Sequence, residues 1–458
     1  MEQDPIARTI AAMIPAARTE LAELVAFRSV ADPDVSPRGE SEKAARWIAD
    51  ALRAEAFEDV TVLDMPDGWQ SVYGFLPGPP GAPTVLLYAH FDVQPAQDGT
   101  AWTSPPFELT ERDGRWYGRG TADCKGAVVM HLLALRALKA HGGVPVNVKV
   151  IVEGSEEQGT GGLEEYARAH PGLLAADAVL VADAGNFRRG VPTVTAALRG
   201  ITMLRVRVDT LRANLHSGQF GGPAPDALTA LVKILAALTD EDGTARVDGL
   251  PADGHWPGLD YPEGDFREDA GLLDGVRLAG TGSIGDRLWA RPSVGVMGID
   301  CPAVEGATPT IQATARAALS LRIPPGQDAR TATSLLVAHI EKHTPWGARV
   351  SVEPLGQGEP FRADASGPAY TAMAQALRTA YPGQTMRLGG FGGGIPLCGA
   401  LAELYPRAEI LLLGLSEPEA NIHAADESVS VDELRRLAVA EAHFLRGYAT
   451  KDGRSGKE

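Results

Sequence analysis

Between residues 83 and 185 the chain alternates short apolar runs with helical patterns: PTVLLYAHFD, KGAVVMHLLALRALKAHG, VNVKVIVEG, LEEYARAH and AVLVADAG. Strand-like runs separated by helix-length patterns cannot be hairpins, so they predict βαβ units and a largely parallel sheet between helices. The last third repeats this style in GPAYTAMAQALRTAYPG, AEILLLGLSE and a final helix, before which Ser430 and Glu433 of SVDE form a capping-box pattern. The middle departs from it. From about residue 199 the order is strand, helix, a long Gly/Pro/Asp-rich stretch, two strands, helix, strand. That is the β-α-β-β-α-β order of a ferredoxin-like α+β domain. The expected fold is α/β, with one body made of residues 1–198 and 361–458 and an inserted domain at 199–360 that carries an irregular excursion over 240–290.

A chain of 458 residues exceeds one ordinary core, which agrees with two bodies. Its 44% hydrophobic and 22% charged residues are those of a soluble globular protein, and a net charge of −17 repels phosphate backbones and anionic lipid. Small molecules are therefore the expected partners, with no nucleic acid and no membrane. The N-terminal segment reads as an amphipathic helix without a basic, continuously apolar leader. Three cysteines, Cys124, Cys301 and Cys398, give no disulfide framework and suit a reducing compartment, so a cytoplasmic location is expected.

In α/β sheets, ligands gather where the strands end at their carboxyl termini. Here LLYAHFD ends in His90 and Asp92, GRGTADCKG presents Asp123 before a helix, VIVEGSEE ends in Glu156 and Glu157, VLVADAG ends in Asp183, and GLSEPEANIHAAD carries His423. Taken singly, His90 reads equally well as a core histidine, Asp123 as a helix N-cap and Asp183 as a turn residue. Together, two imidazoles and three carboxylates exceed what one tetrahedral zinc needs and fit two zincs that share a carboxylate. Asp92, two residues after His90, faces the same side of the strand and can accept the other ring N–H of that histidine. Neighbours on an extended chain face opposite ways, so one of Glu156 and Glu157 is expected to coordinate and the other to face the substrate as a general base.

The motifs AHFDVQP, DGRWYGRGTADCKG, EGSEEQGTGGL, NLHSGQFGG and LSLRIPPGQ, with the His423 loop, occur in an order that resembles a family of dizinc peptidases and amidohydrolases. That family includes carnosinase, cytosolic nonspecific dipeptidase, aminoacylase, acetylornithine deacetylase and succinyl-diaminopimelate desuccinylase. The resemblance implies two Zn2+ per subunit, with Mn2+ or Co2+ as alternatives. It implies that His90, Asp123 and Asp183 hold one ion, that Asp123, Glu157 and His423 hold the other, and that Glu156 is the base. Asp at position 183 looks like the peptidase branch, which implies hydrolysis of dipeptides or short peptides with a free C-terminal carboxylate.

The resemblance implies that Arg322, at a strand end in LSLRIPPGQ, grips that carboxylate, helped by backbone N–H groups of Gly393 and Gly394 in GGGIP. The resemblance also implies that the inserted domain serves as a lid and as the surface of a homodimer, across which His216 reaches the partner's site as an oxyanion donor. Two positions depart from the family: Cys124 stands where a second acidic residue is common, and Gly394 stands where a serine is common. The rival reading is an amidase or deacylase that releases acetyl or succinyl groups from N-acyl amino acids. A nucleotide loop in LGGFGGGIP reads poorly, because Pro396 falls where a phosphate-binding helix should begin.

Overall fold

The computed structural model describes residues 4–97 and 99–449. They form two compact units: one takes in the chain up to Ala196, then Ala363–Gly389 and the part from Pro396 onward, and the other comprises Ala197–Arg362 with Gly390–Ile395.

The sheet of the first unit runs in the order Glu58–Asp64, Gln70–Leu76, Asn147–Glu153, Thr84–His90, Ala178–Val181, Glu409–Leu412, Thr193–Leu198. Its four central strands are parallel, with Leu87 facing Val150 on one side and Leu180 on the other, and Leu180 facing Leu411. The flanking strands are antiparallel, so the sheet is mixed. Parallel strands are covered on both faces and read as unbroken apolar runs, which is why TVLLYAH is buried from Val85 to His90. Three helices, Pro5–Ala26, Lys125–Ala140 and Val431–Ala449, share one core with the sheet, where Leu21, Leu24, Leu133 and Leu437 are fully buried. Truncating one such leucine to alanine costs about 2–5 kcal/mol. Because the central strands are parallel, their carboxyl ends lie along one edge, where His90 closes its strand and the segments that follow the others carry Glu156, Asp183 and His423.

The last helix begins after Ser430, whose hydroxyl accepts from the Glu433 amide at 3.4 Å. Only half of the expected capping box forms. The Glu433 carboxylate turns inward instead and accepts from Tyr381 Oη, Asn186 and the Gly190 amide, satisfying a buried polar cluster.

The second unit has the antiparallel sheet order Ser293–Asp300, Thr314–Ile323, Gly200–Asp209, Arg349–Gly358, the ferredoxin-like arrangement. Along Gly200–Asp209 buried residues alternate with exposed or half-buried ones, and Leu204, Val206 and Val208 pack on Leu231 and Ile234 of helix Ala227–Ala236 and on Leu336 and Ile340 of helix Ala329–Lys342. Asp226 and Asp328 cap these helices through the amides of Thr229 and Thr331. The unit opens and closes side by side: Leu198 pairs with Phe361, and Ala197 with Arg362. The excursion is less irregular than its composition suggests. It holds a helix at Glu263–Asp269, and buried Asp286 accepts from the Trp256 and Ser283 amides.

A helix does start at Pro396, contrary to the argument made from that residue. Proline at the first helical position has no N–H to lose and fits the helical φ.

Candidate metal centre

The Thr84–His90 strand ends with His90 fully buried, its Nε2 at 2.9 Å from Asp123 Oδ1 and 3.2 Å from Asp183 Oδ1. On the other side of the same aspartate, His423 Nε2 lies 2.9 Å from Asp123 Oδ2 and 3.2 Å from Glu157 Oε2. Asp123 therefore gives one oxygen to each of two histidine–carboxylate pairs. The Glu156 carboxylate belongs to neither.

Each side chain is held by identifiable neighbours. Fully buried Asp92 accepts from the amides of Glu156 at 3.1 Å and Glu157 at 3.0 Å, while its backbone carbonyl lies 3.1 Å from His90 Nδ1. Its carboxylate Oδ1 is 3.4 Å from the same ring nitrogen, so Asp92 fixes both the imidazole and the glutamate pair. The two glutamates lie on a 3-10 turn, Glu156–Gln158, rather than on an extended chain. Their side chains still diverge, because consecutive residues of such a turn are about 120° apart. Gln94 Nε2 donates to Glu157 Oε2 at 2.9 Å, whereas Glu157 Oε1 is buried with no partner.

The loop of Asp123 is held by a residue that sequence reading missed. Glu427, fully buried, accepts from the amides of Gly120, Ala122 and Asp123 and pairs with Arg119 Nη1 at 2.7 Å. His423 sits in a segment where Asn421, His423 and Asp426 all have positive φ, a conformation that the surroundings must enforce. Asp426 accepts from the Thr103 amide and hydroxyl, and Gln97 Nε2 donates to the His423 carbonyl at 3.3 Å.

Burial opposes a charge on His90, yet Asp183 and Asp123 outweigh it and hold its pKa well above the usual imidazole value. Hydrogen bonds to Asp123 and Glu157 raise His423 to about 10. Asp123 moves the other way: burial would raise it, but hydrogen bonds from His423 and His90 pull it well below the carboxylate range. Burial first, then neighbouring negative charge, pushes Asp183 up to about 6 and Glu156 well above its ordinary value.

Asp92, Asp123, Glu156, Glu157 and Asp183 thus crowd around buried His90 and the exposed His423, with one carboxylate oxygen orphaned. Such a donor set fits divalent cations. Cys124 is fully buried, its thiol donates to the Ala182 carbonyl at 3.1 Å, and burial pushes it well above its ordinary pKa. Its sulfur also lies within 4.8 Å of ligand atoms of His90 and Asp183. A further group in the second unit, Asp248, His339 and His343, is spoken for differently: His339 Nδ1 lies 3.1 Å from the Asp248 amide and Nε2 3.0 Å from the Ala237 carbonyl.

The remaining expected site residues belong to the second unit. His216 is exposed in the two-residue strand Leu215–His216, paired with Thr310–Ile311. Arg322 lies near the end of the Thr314–Ile323 strand, and Gly393 and Gly394 lie in the Gly390–Ile395 segment.

A mixed α/β body with histidines and carboxylates gathered at its strand ends is the frame of a hydrolase. Residues 86–447 match the model of Peptidase family M20/M25/M40, and the chain belongs to that family. It is 43% identical over 434 residues to a cysteinylglycine-S-conjugate dipeptidase of Corynebacterium striatum, covering 94% of each chain. It is 27% identical over 454 residues to a Cys-Gly metallodipeptidase of Saccharomyces cerevisiae, covering 91% of this chain and 92% of that one. The fold matches the S. cerevisiae di-peptidase Dug1p with a TM-score of 0.82 at 23% identity, over 98% of each chain. Human carnosine dipeptidase 1 gives 0.79 at 24% identity, over 97% and 98%. Among the described residues no helix is long and apolar enough to cross a membrane.

Proposed function

We propose that this chain hydrolyses the amide bond of dipeptides or short peptides that carry a free C-terminal carboxylate. The observation that carries the reading is the division within the cluster: Asp123 is shared by two histidine–carboxylate pairs, while Glu156, pinned through its amide by Asp92, stands outside both. The dipeptidase relatives support the choice of substrate.

In this reading His90 and Asp183 hold one ion, His423 and Glu157 a second, and Asp123 both. Two Zn2+ are proposed, with Mn2+ or Co2+ as alternatives. When bound, divalent ions supply Lewis acidity to the scissile carbonyl and acidify a water. Glu156 takes the proton of the attacking water on a carboxylate oxygen and passes it to the leaving amine. Asp92 keeps Glu156 and His90 in place throughout. Arg322 receives the substrate carboxylate, with Gly393 and Gly394 offering backbone N–H groups. In a homodimer formed through the second unit, which also acts as a lid, His216 stabilises the oxyanion in the partner subunit's site.

The test is a panel on metal-loaded protein: Xaa-Gly and Gly-Xaa dipeptides, N-acetyl amino acids and N-succinyl-diaminopimelate, with bound metal counted by elemental analysis. Turnover confined to the N-acyl compounds would replace this reading with a deacylase. For His216, mixed dimers of His216→Ala and Glu156→Ala should regain activity after subunit exchange, and failure to do so would remove the residue from the partner's site.

A further inference from the structure

Among the described residues four cationic side chains are buried: Arg115, Arg119, Lys125 and Arg199. Three are compensated. Arg115 pairs with Glu417 and Glu419, Arg119 pairs with Glu427, and Lys125 donates to the carbonyls of Leu24 and Phe27. Arg199 is different: no described carboxylate pairs with it, and its one side-chain hydrogen bond is from Nη1 to Ser293 Oγ at 3.0 Å, while its Nε, like that of Arg119, is buried without a partner. A buried guanidinium without an anion is costly, so a fold keeps one only where something else supplies the negative charge.

What surrounds Arg199 adds positive character. Ser293, which holds its fork, sits directly opposite Arg322 in the strand register. Arg322 is half-buried and also without a carboxylate among the described residues. Burial and the nearby charge of Arg322 pull Arg199 down to about 10, the direction expected where two guanidiniums face the same space. The Gly390–Ile395 segment runs against Arg199. The Arg199 amide donates to the Phe391 carbonyl at 3.2 Å, and a Cβ on Gly392 would come within 3.1 Å of Arg199 Nη2. Glycine there avoids that tight contact with the guanidinium, and the segment carries backbone N–H groups that an anion can use.

We infer that Arg199, Arg322, Ser293 and the Gly392–Gly394 backbone form one anion pocket, in which Arg199 is a second guanidinium for the carboxylate of the substrate and of the amino-acid product. The inference rests on the proposed action on free-carboxylate peptides. Arg199 acts in binding and specificity, not in proton transfer.

The test compares wild type with Arg199→Met, which keeps length and removes charge, in two measurements. In thermal unfolding of the metal-loaded protein, glycine should raise the Tm of wild type more than glycinamide does, and Arg199→Met should lose that difference while its own Tm equals or exceeds the wild-type value. In kinetics, kcat/KM for an Xaa-Gly dipeptide should fall about tenfold or more, chiefly through KM, while the Xaa-glycinamide changes less than about threefold. Equal losses on both substrates with a lowered Tm would make Arg199 a structural residue and overturn the inference. So would a glycine-specific Tm rise that survives in Arg199→Met. Should Arg199→Met fail to fold, Arg199→Lys, which keeps the charge and loses the fork, carries the same comparison. If no dipeptide is cleaved yet the glycine-specific shift still depends on Arg199, the substrate reading fails and the pocket stands.

Discussion

Arg119 and Arg199 are both buried arginines, one in each unit, and they differ in where the compensating carboxylate comes from. Arg119 finds Glu427 within its own chain, and that pair also gathers the amides of the loop that presents Asp123. Among the described residues Arg199 finds only a serine hydroxyl. A buried charge satisfied internally is scaffolding, whereas one left open is a description of the ligand, its sign reversed. The cluster around Asp123 obeys the same rule with the opposite polarity: its surplus of carboxylates describes a cation.

The comparison is broken most forcefully at Glu427. Glu427→Ala leaves Arg119 buried and unpaired and should cost roughly 3–5 kcal/mol in denaturant unfolding. It should also weaken metal binding about 10–100-fold by releasing the Asp123 loop, measured by competition with a chelator. If stability is unchanged, the distinction between internally satisfied and open arginines has no energetic content.

Next in size is the division between the adjacent glutamates. Glu156→Gln should retain metal while kcat falls by at least about 10², and Glu157→Ala should lose metal first. Equal metal loss in both variants would show that the two carboxylates are not functionally separate.

A smaller effect concerns the charge balance of the cation site. The folded-state pKa of His423, about 10, lies above its ordinary 6.5. Its protonated form therefore contributes stability that is complete below 6.5 and is lost as pH rises toward 10. Chelated protein should lose thermal stability across that window, and His423→Ala should flatten the slope. A chelated wild type that grows more stable toward pH 10 would contradict the assignment of His423 as a counter-charge. Smallest is Ser430→Ala: with only the serine half of the capping box formed, the loss should be about 1 kcal/mol. Glu433→Gln should cost more, because Glu433 serves the Tyr381 and Asn186 cluster instead of the helix start.

Much of this was legible in the chain because parallel strands write themselves as apolar runs that stop abruptly. His90 and Asp183 stand at or just beyond such stops, and the alternation along Gly200–Asp209 marks a sheet with one covered face. The geometry of Glu156 and Glu157 was not legible, since a 3-10 turn and an extended end look alike in EGSEEQG and are separated only by the Asp92 acceptor. Glu427 left no signal, because an acid in ADES reads as a solvated loop charge until its burial is known. Arg199 did leave one: it interrupts TVTAALRGITML, where an apolar run has no evident reason to carry a charge.

The pairing of Leu198 with Phe361 has a consequence for how the molecule assembles. The first unit is drawn from segments far apart in sequence, separated chiefly by Ala197–Arg362 of the second. Closing a flexible loop costs about 0.6 kcal/mol more for each doubling of its length, so a long unfolded insertion would slow the meeting of those segments. Once the second unit has folded, its ends are strand neighbours and the insertion acts as a short staple. The chain is therefore expected to acquire order from the middle outward, with the inserted unit setting the pace for the body that encloses it in sequence.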